Sequence, residues 1–141
     1  MKILVIHGAG MNMRGKVNLE TFGTMTLPEY DVKIKEYAKE LDIEVEIIQS
    51  NNEGDIVDKL YEAHDNNYDA ALINPSGYTT SDGPLRAAIT HVGFPTIEVH
   101  ISNPSARGTV SKIQQVCKGS VYGFGIYGYY LAFNAVKNVL A

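Results

Sequence analysis

The sequence predicts an α/β fold, a flavodoxin-like three-layer sandwich with a five-stranded parallel sheet, and three observations carry that prediction. Strand-like and helix-like segments alternate along the chain, an order that implies right-handed crossovers and parallel strands. The strand-like segments are short, continuous apolar runs, the pattern of strands covered on both faces. At 141 residues the chain has the usual size of one domain, and no repeat, linker or low-complexity stretch divides it, so 1–141 reads as a single domain.

The elements follow in order. KILVI, Lys2 to Ile6, is the first strand and ends at Gly8. A glycine-rich loop comes next, with no helical pattern opening promptly behind it. Leu27, Ile34, Tyr37, Ala38 and Leu41 then form an apolar stripe at helical spacing, with Lys33, Lys35, Glu36, Lys39 and Glu40 opposite. VEIIQ, Val45 to Gln49, is the second strand. Asn51, Asn52 and Glu53 combine a turn with a helix start, and Ile56, Leu60 and Ala63 mark the helix itself. AALIN, Ala70 to Asn74, is the third strand. It runs into NPSGYTTSDGP, where Ser81 or Asp82 reads as the cap of a short helix over Leu85 to Ile89. PTIEVHI, Pro95 to Ile101, is the fourth strand and GSVYGFG a shorter fifth, before a last helix, apolar all round, from Ile126 to Leu140.

Composition excludes several functions. Hydrophobic residues make up 45% and charged residues 20%, and no apolar run is long enough for a membrane helix, so no membrane partner is expected. A net charge of -4 without a basic run argues against nucleic acid. The single Cys117 rules out an internal disulfide and a cysteine metal cluster. MKILVIHG has a lone lysine and no small-residue cleavage site, which points to the cytoplasm. The glycine loop carries Met13 where a dinucleotide fingerprint needs its third glycine, and neither a phosphate-loop motif nor an HExxH or Asp/His cluster occurs, so no cofactor or metal is expected.

In such a sheet, sites form outside the carboxyl ends of the strands. That rule selects Gly8 to Asn12, Gln49 to Glu53, Asn74 to Ser81 and His100 to Asn103, four polar loops expected to converge on one cleft. His100 ends an apolar strand, with Glu98 two residues earlier on the same side and Ser102 two residues later. A histidine oriented by a carboxylate suits general acid–base work; a capping histidine at a strand end is the structural alternative. His7 points to the same region, whereas His64 reads as a helix-surface residue and His91 as a loop residue. The hydroxyls and amide of NPSGYTTSDGP suit a polyhydroxylated or carboxylate ligand. Tyr78 and Tyr127 are further residues expected to border the cleft.

QSNNEG (Gln49 to Gly54), INPSGYT (Ile73 to Thr79), IEVHISN (Ile97 to Asn103), Ala106-Arg107 and GFGIYGYYLA (Gly123 to Ala132) resemble, in order and spacing, the type II 3-dehydroquinate dehydratases. The resemblance covers essentially the whole chain. It implies the same fold, assembly of trimers into dodecamers, and anti elimination of water from 3-dehydroquinate, a small hydroxylated carboxylate, without metal or cofactor. In that family a lid tyrosine, activated by an arginine, removes the proton beside the ketone, and a histidine protonates the leaving hydroxyl. By resemblance His100 is that acid, Glu98 its supporting carboxylate and Asn74 the neighbouring amide, while Ile101 and Ser102 hold the substrate carboxylate; Thr80 and Arg14 complete the substrate-binding set.

The lid departs from the pattern. Aligned on the family's GPNLNLLGKREPEIYGT, the stretch GAGMNMRGKVNLETFGT puts Gly10 at the catalytic asparagine, Val17 at the lid arginine and Phe22 at the tyrosine base. Thr80 stands at a histidine, Ala87 at an aspartate and Ser111 at a substrate-clamping arginine. Arg14 and Lys16 keep the loop basic. Three expectations follow. One is a divergent hydro-lyase acting on a small hydroxy or keto acid with His100, inefficient on 3-dehydroquinate; the second is a non-catalytic binding or regulatory module on the same scaffold; the third is a plain 3-dehydroquinate dehydratase using a substitute base.

Overall fold

The computed structural model describes residues 1–140. Five strands, β1 (Lys2–Ala9), β2 (Glu44–Gln49), β3 (Ala70–Ser76), β4 (Thr96–His100) and β5 (Gly119–Tyr122), form one parallel sheet in the order β2-β1-β3-β4-β5. The order reverses between β1 and β3, which sets the switch point where a cleft opens in doubly wound sheets. Helices α2 (Leu27–Glu40) and α5 (Tyr127–Ala135) cover one face; α3 (Glu53–Asp65) and α4 (Pro84–His91) cover the other. None of the described helices is long and apolar enough to cross a membrane.

Alternation along β1 divides the interior. Ile3 and Val5 enter the core beneath α2 and α5, while Leu4 and Ile6 enter the core beneath α3 and α4. All four are fully buried, each contributing about 1.5–3 kcal/mol relative to exposure. A strand apolar on both faces has no polar side to turn to solvent, which is why it lies inside the sheet. α2 begins with a capping box: Thr26 N–H donates to Glu29 Oε1 at 3.1 Å, and Glu29 N–H donates to Thr26 Oγ1 at 3.4 Å. α3 is capped by Asn52, whose Oδ1 accepts from Gly54 N–H at 3.0 Å.

Four local expectations change. The cap of α4 is Gly83, with no side-chain hydrogen bond, not Ser81 or Asp82; Asp82 instead pairs with Arg86 one turn on, at 3.3 Å. His91 is the last residue of α4 and not a loop residue. The glycine-rich loop contains a 3-10 turn at Met11–Met13 and a one-turn helix, α1 (Leu19–Phe22), neither visible as a periodic pattern because each is too short to repeat. The C-terminal helix leaves α-geometry after Ala135 and continues as a π-helical segment, Val136–Leu140.

β1 and β3 end in close contact. A Cβ added at Gly8 would lie 2.0 Å from the Pro75 carbonyl oxygen, so only glycine fits between the strands there. That approach draws the loops after β1 and β3 together, and Gly77 N–H donates to Ala9 O at 2.9 Å.

Candidate active site

A cavity of about 300 Å³ opens at the carboxyl ends of β1, β3 and β4. Arg14 and Phe22 enter it from the loop after β1, Ser76 and Thr80 from the loop after β3, and His100 and Arg107 from the end of β4 and beyond. Of the four expected stretches, Asn74 to Ser81 and His100 to Asn103 contribute lining residues, while Gly8 to Asn12 does not and the loop after β1 enters only further on, through Arg14 and Phe22. The Gln49 to Glu53 loop lines no part of this cavity. It braces the first loop from outside: Gly10 N–H donates to Asn51 Oδ1 at 2.9 Å, and Gln49 Nε2 donates to Gly8 O at 3.3 Å.

His100 and Glu98 lie on the same face of β4, as strand alternation requires. Glu98 is fully buried, and three groups surround it. Ser111 Oγ donates to Oε1 at 2.7 Å, the Tyr122 hydroxyl donates to Oε2, and His100 Nε2 lies 3.1 Å from Oε1. The imidazole approach is off the ring N–H direction, so the two groups are in close contact without a formed hydrogen bond. The Tyr122 ring stands edge-on to the imidazole with centroids 4.8 Å apart. Burial and the neighbouring carboxylate push the Tyr122 phenol well above its ordinary range, which keeps it a proton donor to Glu98. The imidazole thus faces the cavity from a mount held by a carboxylate and two hydroxyls.

The remaining expected residues take varied places. Thr80 and Arg14 line the cavity. Ile101 lines a neighbouring pocket of about 260 Å³ that shares Phe22 with the first and reaches Tyr30. Ser102 Oγ accepts from Arg107 Nη1 at 3.1 Å. Asn74 is buried behind the wall, where its Oδ1 accepts from Ser76 N–H at 3.0 Å; it shapes the loop that lines the cavity. Ser76 adopts a left-handed backbone, φ 47°, an uncommon conformation for a residue with a side chain.

Several positions differ from expectation. Ser111, where the family's clamping arginine was expected to be lost, turns inward, its Oγ donating to Glu98. Tyr78 is buried, and its hydroxyl donates to Ser50 O at 3.3 Å, outside the cavity. Tyr127 is exposed and packs against Tyr37 and Tyr130. His7 does not reach the cavity surface: it is fully buried, with Nε2 2.8 Å from Asp31 Oδ1 and its ring edge-on to Tyr129.

Two participants went unread in the sequence. Tyr122 sits in the short GSVY run, and only the β4–β5 register, which pairs His100 with Tyr122, brings it to Glu98. Arg107 was legible as part of the Ala-Arg motif but not as a cavity cation. Arg14 lies over the Phe22 ring, its guanidinium carbon 3.8 Å from the centroid, and Arg107 lies 5.8 Å from the same centroid. Burial pulls the Arg14 guanidinium below its ordinary pKa. Desolvation raises the nearby Tyr30 phenol, which Arg14 partly offsets without reaching hydrogen-bond geometry. Among the described residues no group of three His, Cys, Asp or Glu is arranged to hold a metal ion.

Comparison with known proteins places this architecture. Residues 1–137 match the family model described as Dehydroquinase class II. A 3-dehydroquinate dehydratase of Caldanaerobacter subterraneus subsp. tengcongensis is 45% identical over 139 residues, covering 96% of this chain and 93% of that protein. One from Caldicellulosiruptor bescii is 41% identical over 142 residues, covering 99% and 98%. The crystal structure of a type II dehydroquinase from Butyrivibrio crossotus superimposes with a TM-score of 0.93 at 38% identity, covering 98% of each chain.

Proposed function

The chain belongs to the class II dehydroquinase family, and on that premise we propose that it is a hydro-lyase that removes water from a small hydroxylated keto acid. One observation carries the reading. His100 lines the cavity with Glu98 buried behind it, and Glu98 is in turn held by Ser111 and Tyr122. An imidazole is the one lining group able both to accept and to donate a proton near neutrality. In the proposed reaction a solvent water takes the proton from the carbon beside the ketone, in place of the tyrosine base that Phe22 does not supply, and the electron pair of that C–H bond forms an enolate. The enolate collapses to a carbon–carbon double bond as the C–O bond breaks, and His100 delivers a proton to the departing hydroxyl, which leaves as water. Thr80, Ile101, Ser102 and Arg14 hold the substrate, and Asn74 fixes the loop beside it.

3-Dehydroquinate is expected to be a poor substrate. The position that carries the base in the family's pattern is Phe22, which has no ionisable group, and Val17, at the position of the lid arginine, is exposed and apolar. Loss of a positioned proton acceptor costs roughly 10² to 10⁴ in rate. The same observation favours a second reading, a non-catalytic small-molecule-binding module. Incubation with 3-dehydroquinate, followed by enone absorbance with His100→Ala as control, separates the two. Slow turnover abolished in the variant supports the hydro-lyase. Turnover at rates typical of the named relatives would remove the argument from Phe22. No turnover of 3-dehydroquinate or of related hydroxy keto acids, with binding retained, favours the module.

Assembly and place of action belong to the same proposal. Val110, Phe124, Tyr127 and Val139 are exposed apolar side chains, which suits a homo-oligomer, trimer or dodecamer, working in the cytoplasm. Light scattering on the eluting protein measures the oligomer directly; a monomer would contradict it.

A further inference from the structure

At Val17, Phe22, Thr80 and Ser111 the family's pattern loses an ionisable side chain; at Arg14 it gains one, because MNMRG here stands against LNLLG and puts the guanidinium at a leucine. A leucine there needs no partner, whereas a guanidinium does. Arg14 is only 7% exposed and forms no ion pair with any described carboxylate. Its one hydrogen bond runs from Nη2 to Ser76 Oγ at 3.3 Å, and Nε donates to no described group. Burial pulls its pKa down, and Arg107, a charge of like sign, adds to that. A cation taken out of water and left unpaired destabilises the fold, so its presence is explained by a bound partner and not by packing.

The cavity holds two cations for one expected anion. Arg14 and Arg107 line it together with the hydroxyl residues Ser76, Thr79, Thr80 and Thr109, and no carboxylate lines it. The substrate carboxylate belongs to Ile101 and Ser102, and Ser102 Oγ accepts from Arg107 Nη1 at 3.1 Å, which ties Arg107 to that end of the cleft. Arg14 is tied instead to the loop after β3, through Ser76. A ligand with a single carboxylate therefore leaves Arg14 without a counter-charge. The guanidinium carbon stacks 3.8 Å from the Phe22 ring centroid, so the N–H donors in its plane point away from the ring, and Ser76 Oγ, which accepts from Arg14, keeps its own O–H to donate. A guanidinium edge beside a hydroxyl donor suits an oxyanion.

We propose that Arg14 and Ser76 form a second oxyanion subsite in the cavity, distinct from Ile101 and Ser102, and that the substrate is a hydroxy keto acid carrying a second anionic group, a carboxylate or a phosphate. The inference rests on the reading of the cavity as the substrate cleft. It adds a reason, besides Phe22, for weak action on 3-dehydroquinate, which has a single carboxylate and leaves this subsite unfilled.

The test reads binding at Arg14, so that this inference and the hydro-lyase reading fail separately. The Arg14 Nε–H resonance is identified in a 1H–15N spectrum by its absence in Arg14→Leu. The wild-type protein is then titrated with inorganic phosphate and with acetate, each alone and in the presence of quinate, a cyclic polyhydroxy acid with one carboxylate. Phosphate or acetate is expected to shift the Arg14 resonance saturably, the tighter of the two giving the class of the second group, and quinate is expected not to displace it. Arg14→Leu is expected to weaken binding of that anion at least about tenfold, as for loss of a hydrogen bond between charged groups, while quinate still binds. Arg14→Lys, which keeps the charge but loses the fork, is expected to recover part of the loss. Arg14→Leu is also expected to unfold at a higher urea concentration, since it removes an unpaired buried charge; a lower midpoint would show that Arg14 serves the fold and would count against a ligand role. Competitive displacement of the anion by quinate, an equal loss of quinate and anion binding in Arg14→Leu, or no response of Arg14 to either anion at tens of millimolar would overturn the proposal. Failure of quinate to bind counts against the hydro-lyase reading alone, because the anion titrations decide Arg14 without it.

Discussion

Tyr122→Phe removes one oxygen atom and leaves the ring that packs edge-on to His100. That atom donates to Glu98 Oε2, whose only described partner it is, whereas Oε1 has both Ser111 and His100. Glu98 is fully buried, so no water replaces the lost donor. Hydrogen bonds to charged groups contribute about 1.5–3 kcal/mol, and complete burial with no alternative partner puts this one in the upper half, about 2–3 kcal/mol. For a domain of this size each kcal/mol shifts the melting temperature by roughly 3 °C, so a fall of about 6–9 °C is expected. Urea unfolding should show a lower midpoint at unchanged m, because the change leaves the exposed surface of the denatured chain unaltered. Ser111→Ala should cost less, about 1–2 kcal/mol, since Oε1 keeps its imidazole contact. The double variant should depart from additivity by at least about 0.5 kcal/mol, because both hydroxyls act on one carboxylate. If dehydration is detected, Tyr122→Phe should lower kcat with KM little changed, since the hydroxyl acts through Glu98 on His100 and touches no ligand. A stability loss under about 0.5 kcal/mol at constant m would refute the claim that Glu98 depends on this donor.

Three other outcomes are expected. Gly8→Ala places a methyl group 2.0 Å from the Pro75 carbonyl oxygen, backbone against backbone; with no side chain free to yield, a loss of about 3 kcal/mol or more is expected in denaturant unfolding. Phe22→Tyr combined with Val17→Arg restores the family's lid pair and should raise 3-dehydroquinate turnover at least about tenfold, measured by enone absorbance; an unchanged rate would show that the lid is not what limits that substrate. The phenols of half-buried Tyr122 and fully buried Tyr129 are raised above their ordinary value of 10.0, chiefly by desolvation. A raised folded-state pKa means that the folded protein holds the proton longer than the unfolded chain. Their contribution is therefore complete below pH about 10 and is lost as pH climbs through the folded values, so the urea midpoint should fall above pH about 10. Spectrophotometric titration should show these two phenols ionising only as the protein unfolds.

The sequence alone was enough for the architecture and for the floor of the site. Runs such as KILVI and AALIN are apolar on both faces, and only a strand inside a covered sheet removes both faces from water. The alternation with amphipathic helices then leaves a parallel sheet with loops gathered at one end. His100 and Glu98 were legible for the same local reason, since residues two apart on a strand share a face whatever else the fold does. The rest depended on contacts that no periodicity encodes. Tyr122 and Ser111 reach Glu98 across 24 and 13 residues, Arg14 meets Ser76 across 62, and His7 is drawn to Asp31 across 24. Strand pairing and loop closure set those distances, and a one-residue shift in register would send the strand residues Tyr122 and His7 to the opposite face. Tertiary structure therefore decided that Ser111 serves Glu98, and that Arg14 stands in the cavity against the face of Phe22.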